Sequence, residues 1–106
     1  MKTIINTTPH NVNICGANNK VINTFLKSDN PIRLNSVSNQ IGDINGIPVN
    51  SVAFGSANLP AFQEGIYYIV SALVKNIFQN RSDLLVPHDV VRDEGGNIIG
   101  CRSFSV

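Results

Sequence analysis

In only one stretch of this sequence, residues 72–79, do apolar residues recur at helical spacing, with Leu73, Val74, Ile77 and Phe78 on one face. Elsewhere they come in short β-branched runs cut by Pro, Gly and Asn. One helix of about two turns cannot build a helical layer of its own. The chain must therefore form a sheet and lay that helix on it. The runs read as strands at residues 2–6, 12–15, 21–25, 32–37, 47–54, 66–71 and 84–86. A C-terminal hairpin pairs residues 90–92 with 97–104 around Asp93-Glu94-Gly95-Gly96. This predicts an α+β fold: a β-rich single domain over residues 1–106, with about seven short, mostly antiparallel strands, one short helix packed on the sheet, and the C-terminal β-hairpin.

The breakers carry their own mechanisms. Pro9 and Pro87 each end a strand, because proline lacks a ladder donor and restricts its predecessor. The turn at residues 16–19 is rich in Gly and Asn, which tolerate positive φ. Asn45-Gly46 is a strong turn dipeptide, and Pro48 stands near a strand start, where it is tolerated. Residues 66–71 (Ile-Tyr-Tyr-Ile-Val-Ser) show little polar alternation and read as a central strand. Ser71 reads as the helix N-cap and Asn80 as its left-handed C-cap. Residues 38–45 are polar and weakly specified. Residues 32–37 alternate as a half-buried strand does.

Composition narrows the function classes. The chain has 106 residues, a net charge of +1 and 14% charged residues. The cationic density that an extended nucleic acid needs is missing. A near-neutral surface resists self-association poorly, so a homo-oligomer is expected. No run reaches the roughly 18 apolar residues of a membrane span. No secretory h-region follows Met1-Lys2, so a cytoplasmic protein with reduced Cys15 and Cys101 is expected. His10, Cys15, His88, Asp89 and Cys101 lack metal-site spacing, so no metal and no cofactor is expected. Cys101 follows Gly100 on a strand and reads as a buried small hydrophobe. A thiolate paired with His10 or His88 is the weaker alternative, so the chain is read as no enzyme.

Three of the four arginines, Arg81, Arg92 and Arg102, fall in the last 26 residues. The guanidinium fork suits phosphate. Pairing of Arg81 with Asp83 and of Arg92 with Asp93 is the competing reading, and composition does not choose between them. His10 and His88 each follow a proline at a strand end, where a polar side chain can be held at a rim.

Ile5-Asn6-Thr7-Thr8-Pro9-His10, Tyr68-Ile69-Val70-Ser71, Arg81-Ser82-Asp83-Leu84-Leu85-Val86-Pro87, Val91-Arg92-Asp93 and Gly96-Asn97-Ile98-Ile99-Gly100-Cys101-Arg102 together resemble a family of small phage and prophage proteins. Residues 16–58 carry little of that resemblance. In size and genomic type such proteins are similar to phage anti-defence proteins that sequester nucleotide immune signals. The likeness implies a non-enzymatic, oligomeric protein that captures a cyclic ADP-ribose isomer or a cyclic oligonucleotide. The residues expected at such a small phosphorylated ligand are Arg81, Arg92 and Arg102 for phosphate, with Asn6, His10, Asp83 and His88 for ribose or base. The alternative is a small phage structural or adaptor protein, or a host-protein-binding module. That reading calls for an exposed sheet edge or apolar patch, with the arginines tied up in ion pairs.

Overall fold

Strand β6 (Ile66–Ile69) is the aromatic, β-branched run, and two neighbours flank it: β1 (Thr3–Asn6) on one side and β7 (Leu84–Arg92) on the other. The computed structural model describes residues 2–56 and 58–106. Its main sheet has the order β1-β6-β7-β8-β2-β3, with β2 at Val12–Cys15, β3 at Val21–Phe25 and β8 at Ile98–Ser105. A separate two-stranded ribbon is made by β4 (Asn35–Ile44) and β5 (Ile47–Gly55). The fold is thus β-rich α+β with a C-terminal hairpin, as the run pattern predicts. The longer ladders, β4–β5 and β7–β8, are antiparallel, and so is β2–β3. The shorter β1–β6, β6–β7 and β2–β8 pairings are parallel.

Helix α1 (Ala72–Ile77) begins where expected, with Ser71 Oγ accepting from the Val74 N–H at 3.2 Å. It is shorter than its apolar spacing suggests. Phe78, not Asn80, is the C-cap, at φ −111° and ψ 50°. With so little helix, one residue faces the sheet squarely: Val74 joins Tyr68, Val70 and Leu84 in the core. Ile32, Leu34, Leu59, Ile66, Phe78 and Val86 pack around them. Leu73, expected on the sheet, points to solvent instead.

Two other expectations are revised. Pro87 does not end a strand, since β7 runs through it from Leu84 to Arg92. Beyond Leu85 the register with β6 stops and only β8 pairs, so β7 behaves there as an edge, where a missing donor is tolerated. Residues 38–44 are not loosely specified and 32–34 are not strand; the strand is β4 at 35–44. Asn45 and Gly46 both have positive φ (52° and 79°), which is the I′ geometry of a two-residue hairpin. Backbone pairing runs from that turn along the length of β4 and β5, whose side chains are almost all exposed.

The two edges of the main sheet meet. The Asn6 side chain, at the end of β1, donates to the Phe25 carbonyl at the end of β3 (3.1 Å) and to the His10 carbonyl (2.8 Å). Its Oδ1 accepts from Thr8 N (2.9 Å) and Thr8 Oγ1 (2.7 Å). All four hydrogen-bonding positions of the buried amide are used. Ser28 N also bonds to Thr8 O, and Ile32 N to Thr7 O. The sheet therefore curls until residues 6–10 join its opposite edges. Between β2 and β8 the backbones close in at Gly100, where an added Cβ would lie 2.7 Å from both Asn13 O and Cys15 Sγ.

Asn6→Ala takes the side-chain donor from the Phe25 carbonyl and the acceptor from the Thr8 N–H, leaves the His10 carbonyl only its Thr8 Oγ1 bond, and should cost about 3 kcal/mol in urea unfolding. Gly100→Ala should cost roughly 1–3 kcal/mol through overpacking, with the same two-state curve shape.

Candidate functional site

The loop at residues 7–11 crosses the carboxyl ends of β1 and β6, next to the start of α1. Thr7 fixes it: its N–H and its hydroxyl both donate to the Ile69 carbonyl, at 3.1 and 2.6 Å. Beneath this loop lies a cavity of about 410 Å³ with Ile32, Val70 and Val74 among its walls. Thr7, Thr8, His10 and Ser71 supply its polar groups. A volume of this size is within the usual range for a small-molecule site. The hydroxyls are committed internally, however. Thr8 Oγ1 bonds to Asn6 and to the His10 carbonyl, and Ser71 Oγ caps α1. His10 is exposed at the rim, and its ring makes no hydrogen bond among the described residues.

Of the expected ligand-binding residues, only His10 lines this cavity. Asn6 stands directly behind it as the buried staple of the loop. Arg81 and Asp83 form a bidentate pair at the entry to β7, with Nε–Oδ1 at 2.8 Å and Nη2–Oδ2 at 2.7 Å. The second donor on Arg81 Nη2 goes to the Pro60 carbonyl at 2.8 Å. Asp83 is only 1% exposed and Arg81 20%. The hydrogen bonds from Arg81 outweigh burial and hold the Asp83 carboxyl below the ordinary carboxylate range.

Arg92 and Arg102 lie elsewhere. Arg92 closes the hairpin turn by donating to the Gly96 carbonyl at 2.9 Å. Asp93 is occupied by the turn itself, accepting from Gly95 N and Asn97 N, so of the two pairs in the competing reading Arg92–Asp93 is not formed. Arg102 faces Asp89 across the β7–β8 ladder, 3.4 Å away, and also donates to Asn19. Asp89 has φ 57°, a break in β7 that turns its carboxylate toward this contact. His88, one residue earlier, is exposed on the same strand. Arg81 and Arg92 flank β7, whose length at ~3.3 Å per residue is about 26 Å. The three guanidinium groups do not converge on one phosphate.

Cys15 and Cys101 are free and buried. Burial pushes the Cys101 thiol up, which disfavours the thiolate that a nucleophile requires. Among the described residues no three His, Cys, Asp or Glu side chains cluster to hold a metal ion. No helix among them is long and apolar enough to cross a membrane.

The largest unexplained surface is the β4–β5 ribbon. It stands away from the body and is exposed along nearly its whole length. Ile44 and Ile47, beside its turn, are 64% and 67% exposed, and Val37, Ile41, Val52 and Phe54 are also open. Of the alternating residues at 32–37, Ile32 and Leu34 pack against the core, while Val37, inside the ribbon, is left uncovered. Thr7, Thr8 and Ser71 of the cavity were legible only as strand-end and cap residues.

No protein-family model matches this chain, and none of the curated proteins or solved structures compared with it matches either.

Asp83 sets a pH dependence with a definite sign. Its folded pKa is depressed, so its stabilisation is fully present above the unfolded value of about 3.9 and is lost as pH falls through the folded value. Asp83→Asn should lose about 3 kcal/mol at neutral pH, by leaving Arg81 half-buried and unpaired, and should flatten the acid limb of the stability curve. In a thiol titration with an aromatic disulfide, Cys101 should react only as fast as the protein opens.

Proposed function

We propose that this chain is a non-catalytic assembly or adaptor subunit, of the kind used to build or attach to a phage particle, and that the β4–β5 ribbon is its working part. The single observation that carries this reading is the ribbon itself: an uncovered hairpin on a small body, with Val37, Ile41, Ile44, Ile47, Val52 and Phe54 exposed among amide and hydroxyl side chains. Monomeric soluble proteins rarely leave such surface open, and large exposed apolar patches mark interaction sites. Free strand edges are templates for pairing with another chain. The arginines complement this picture. Arg81 and Arg102 are held in ion pairs and Arg92 in a turn, so none of the three is aimed at a shared ligand.

A second reading, capture of a small molecule, draws support from the cavity below residues 7–10. Its mainly apolar walls, with His10 at the rim, suit the base of a nucleoside or nucleotide better than a phosphate cluster. Isothermal titration against nucleosides, cyclic oligonucleotides and cyclic ADP-ribose isomers tests it. Binding tighter than about 100 µM, roughly 5 kcal/mol, that is lost in Ala72→Trp, an exposed position of the cavity wall, would favour this reading. No heat at that level would remove it.

The leading reading is tested by affinity capture of the tagged chain from the cells that express it. The control is the same chain with residues 36–54 replaced by a short Gly-containing turn. One protein, in fixed stoichiometry, should come down with the intact chain and be absent from the control. Equal recovery by the two forms would rule out the ribbon as the working part.

A further inference from the structure

We infer that the occupant of the ribbon is a second copy of this chain, and that two copies embrace through reciprocal β4–β5 arms. This rests on the reading of the ribbon as a docking element and adds the identity of its partner. The first argument is area. A compact chain of this mass exposes about 5,800 Å², from the scaling of accessible surface with size. This chain exposes 7373 Å². The excess is ~1,600 Å² per copy, and burying it on both members of a pair gives roughly 3,000 Å², within the range of obligate homodimers. The radius of gyration agrees: it is 17.3 Å, against about 13 Å for a compact domain of this length.

The second argument is chemistry. From Asn35 to Gly55 the only charged residue is Asp43. Without Lys or Arg, the arm has nothing to offer a nucleic acid or an anionic lipid surface. A lipid interior does not suit it either, because each of its faces is interrupted by polar pairs. Asn39 lies beside Ser51 on the face that holds Val37 and Ile44, and Gln40 beside Asn50 on the face that holds Val52 and Phe54. Mixed apolar and amide surface on both faces fits a protein surface better than a lipid, and the body also leaves Ile22, Leu26 and Phe62 widely exposed. The third argument is that charge guards the arm little, although Pro48 and the bulge between Gln40 and Gly42 blunt parts of its edges. Lysines, which natural edges use against self-pairing, do not occur on either strand, and net charge of +1 adds little repulsion between copies.

The interface is then isologous: the arm of one copy lies on the body of the other, and the reverse. Sedimentation equilibrium or light scattering of the full chain should give about twice 11.5 kDa. The paired substitutions Ile44→Asp and Ile47→Asp, at positions that are widely exposed in the single chain, should give a folded monomer with unchanged circular dichroism. Hydrogen exchange should protect the arm amides of the full chain at least tenfold over those of this variant. A full chain that is monomeric, or a dimer that survives both the double substitution and replacement of residues 36–54, would overturn the inference. So would flotation of the chain with neutral vesicles in place of dimerisation. A monomer that still captures a different protein through its arm would sink the self-pairing and leave the assembly function standing; a monomer whose arm captures nothing would sink both.

Discussion

One buried amide holds the body of this protein together. The Asn6 side chain, on one edge of the six-stranded sheet, bonds to Phe25 on the other edge and to the loop that bridges them, with every donor and acceptor occupied. A sheet of this size with one short helix has too few apolar residues to bury both faces by stacking layers. Curling until the edges meet solves part of that problem, because it lets Ile69, Leu85 and Val91 be buried with no second helix layer. The hydrogen bonds of Asn6 and Thr7 are what keep the curl closed. The cavity, the cap of α1 and the docking of residues 28–32 all follow from where those bonds place residues 7–10.

The Arg81–Asp83 pair plays the matching role at the start of β7. Its carboxylate is nearly inaccessible and its guanidinium also reaches Pro60, so it binds the helix exit to the segment that precedes β6. Such a pair is expensive to break and gives little net stability, and its effect is chiefly to fix geometry. A residue type chosen for anion recognition is used here for internal architecture. That is the general difficulty with a lone arginine in a sequence: the fork that fits a phosphate fits a neighbouring aspartate equally well.

Local features were the legible ones. Asn45-Gly46, Ser71 and the Gly-containing turn after Asp93 each specify their own backbone, and the structure forms a hairpin, a cap and a hairpin at those points. What lay beyond the residues was everything set by distant partners. Nothing near Ile4 says that it pairs in parallel with Tyr67, and nothing near Asn6 says that its amide reaches Phe25. Pro87 shows the same limit from the other side. As a local signal it ends a strand, yet β7 passes through it because β6 has already stopped pairing there. For the candidate site, His10 stands at the cavity rim, while the three arginines make internal contacts and are dispersed in space. The β4–β5 alternation was visible in part, but an amphipathic pattern does not say whether its cover comes from the same chain.

The topology also fixes an order of events in a growing chain. The hairpin of β4 and β5 is closed by a two-residue turn and pairs only within residues 35–55; such pairing forms in about 1–10 µs, although a lone hairpin is only marginally stable in water. The body cannot close until much later. β1 waits for Ile66–Ile69, and β2 for Cys101. At a synthesis rate of roughly 5–20 residues per second, the ribbon is exposed for seconds before the sheet that carries it exists. Chains made side by side on one message therefore present this segment to each other, pairing and unpairing, while their bodies are still unfolded, and pairing with a second copy would hold it closed.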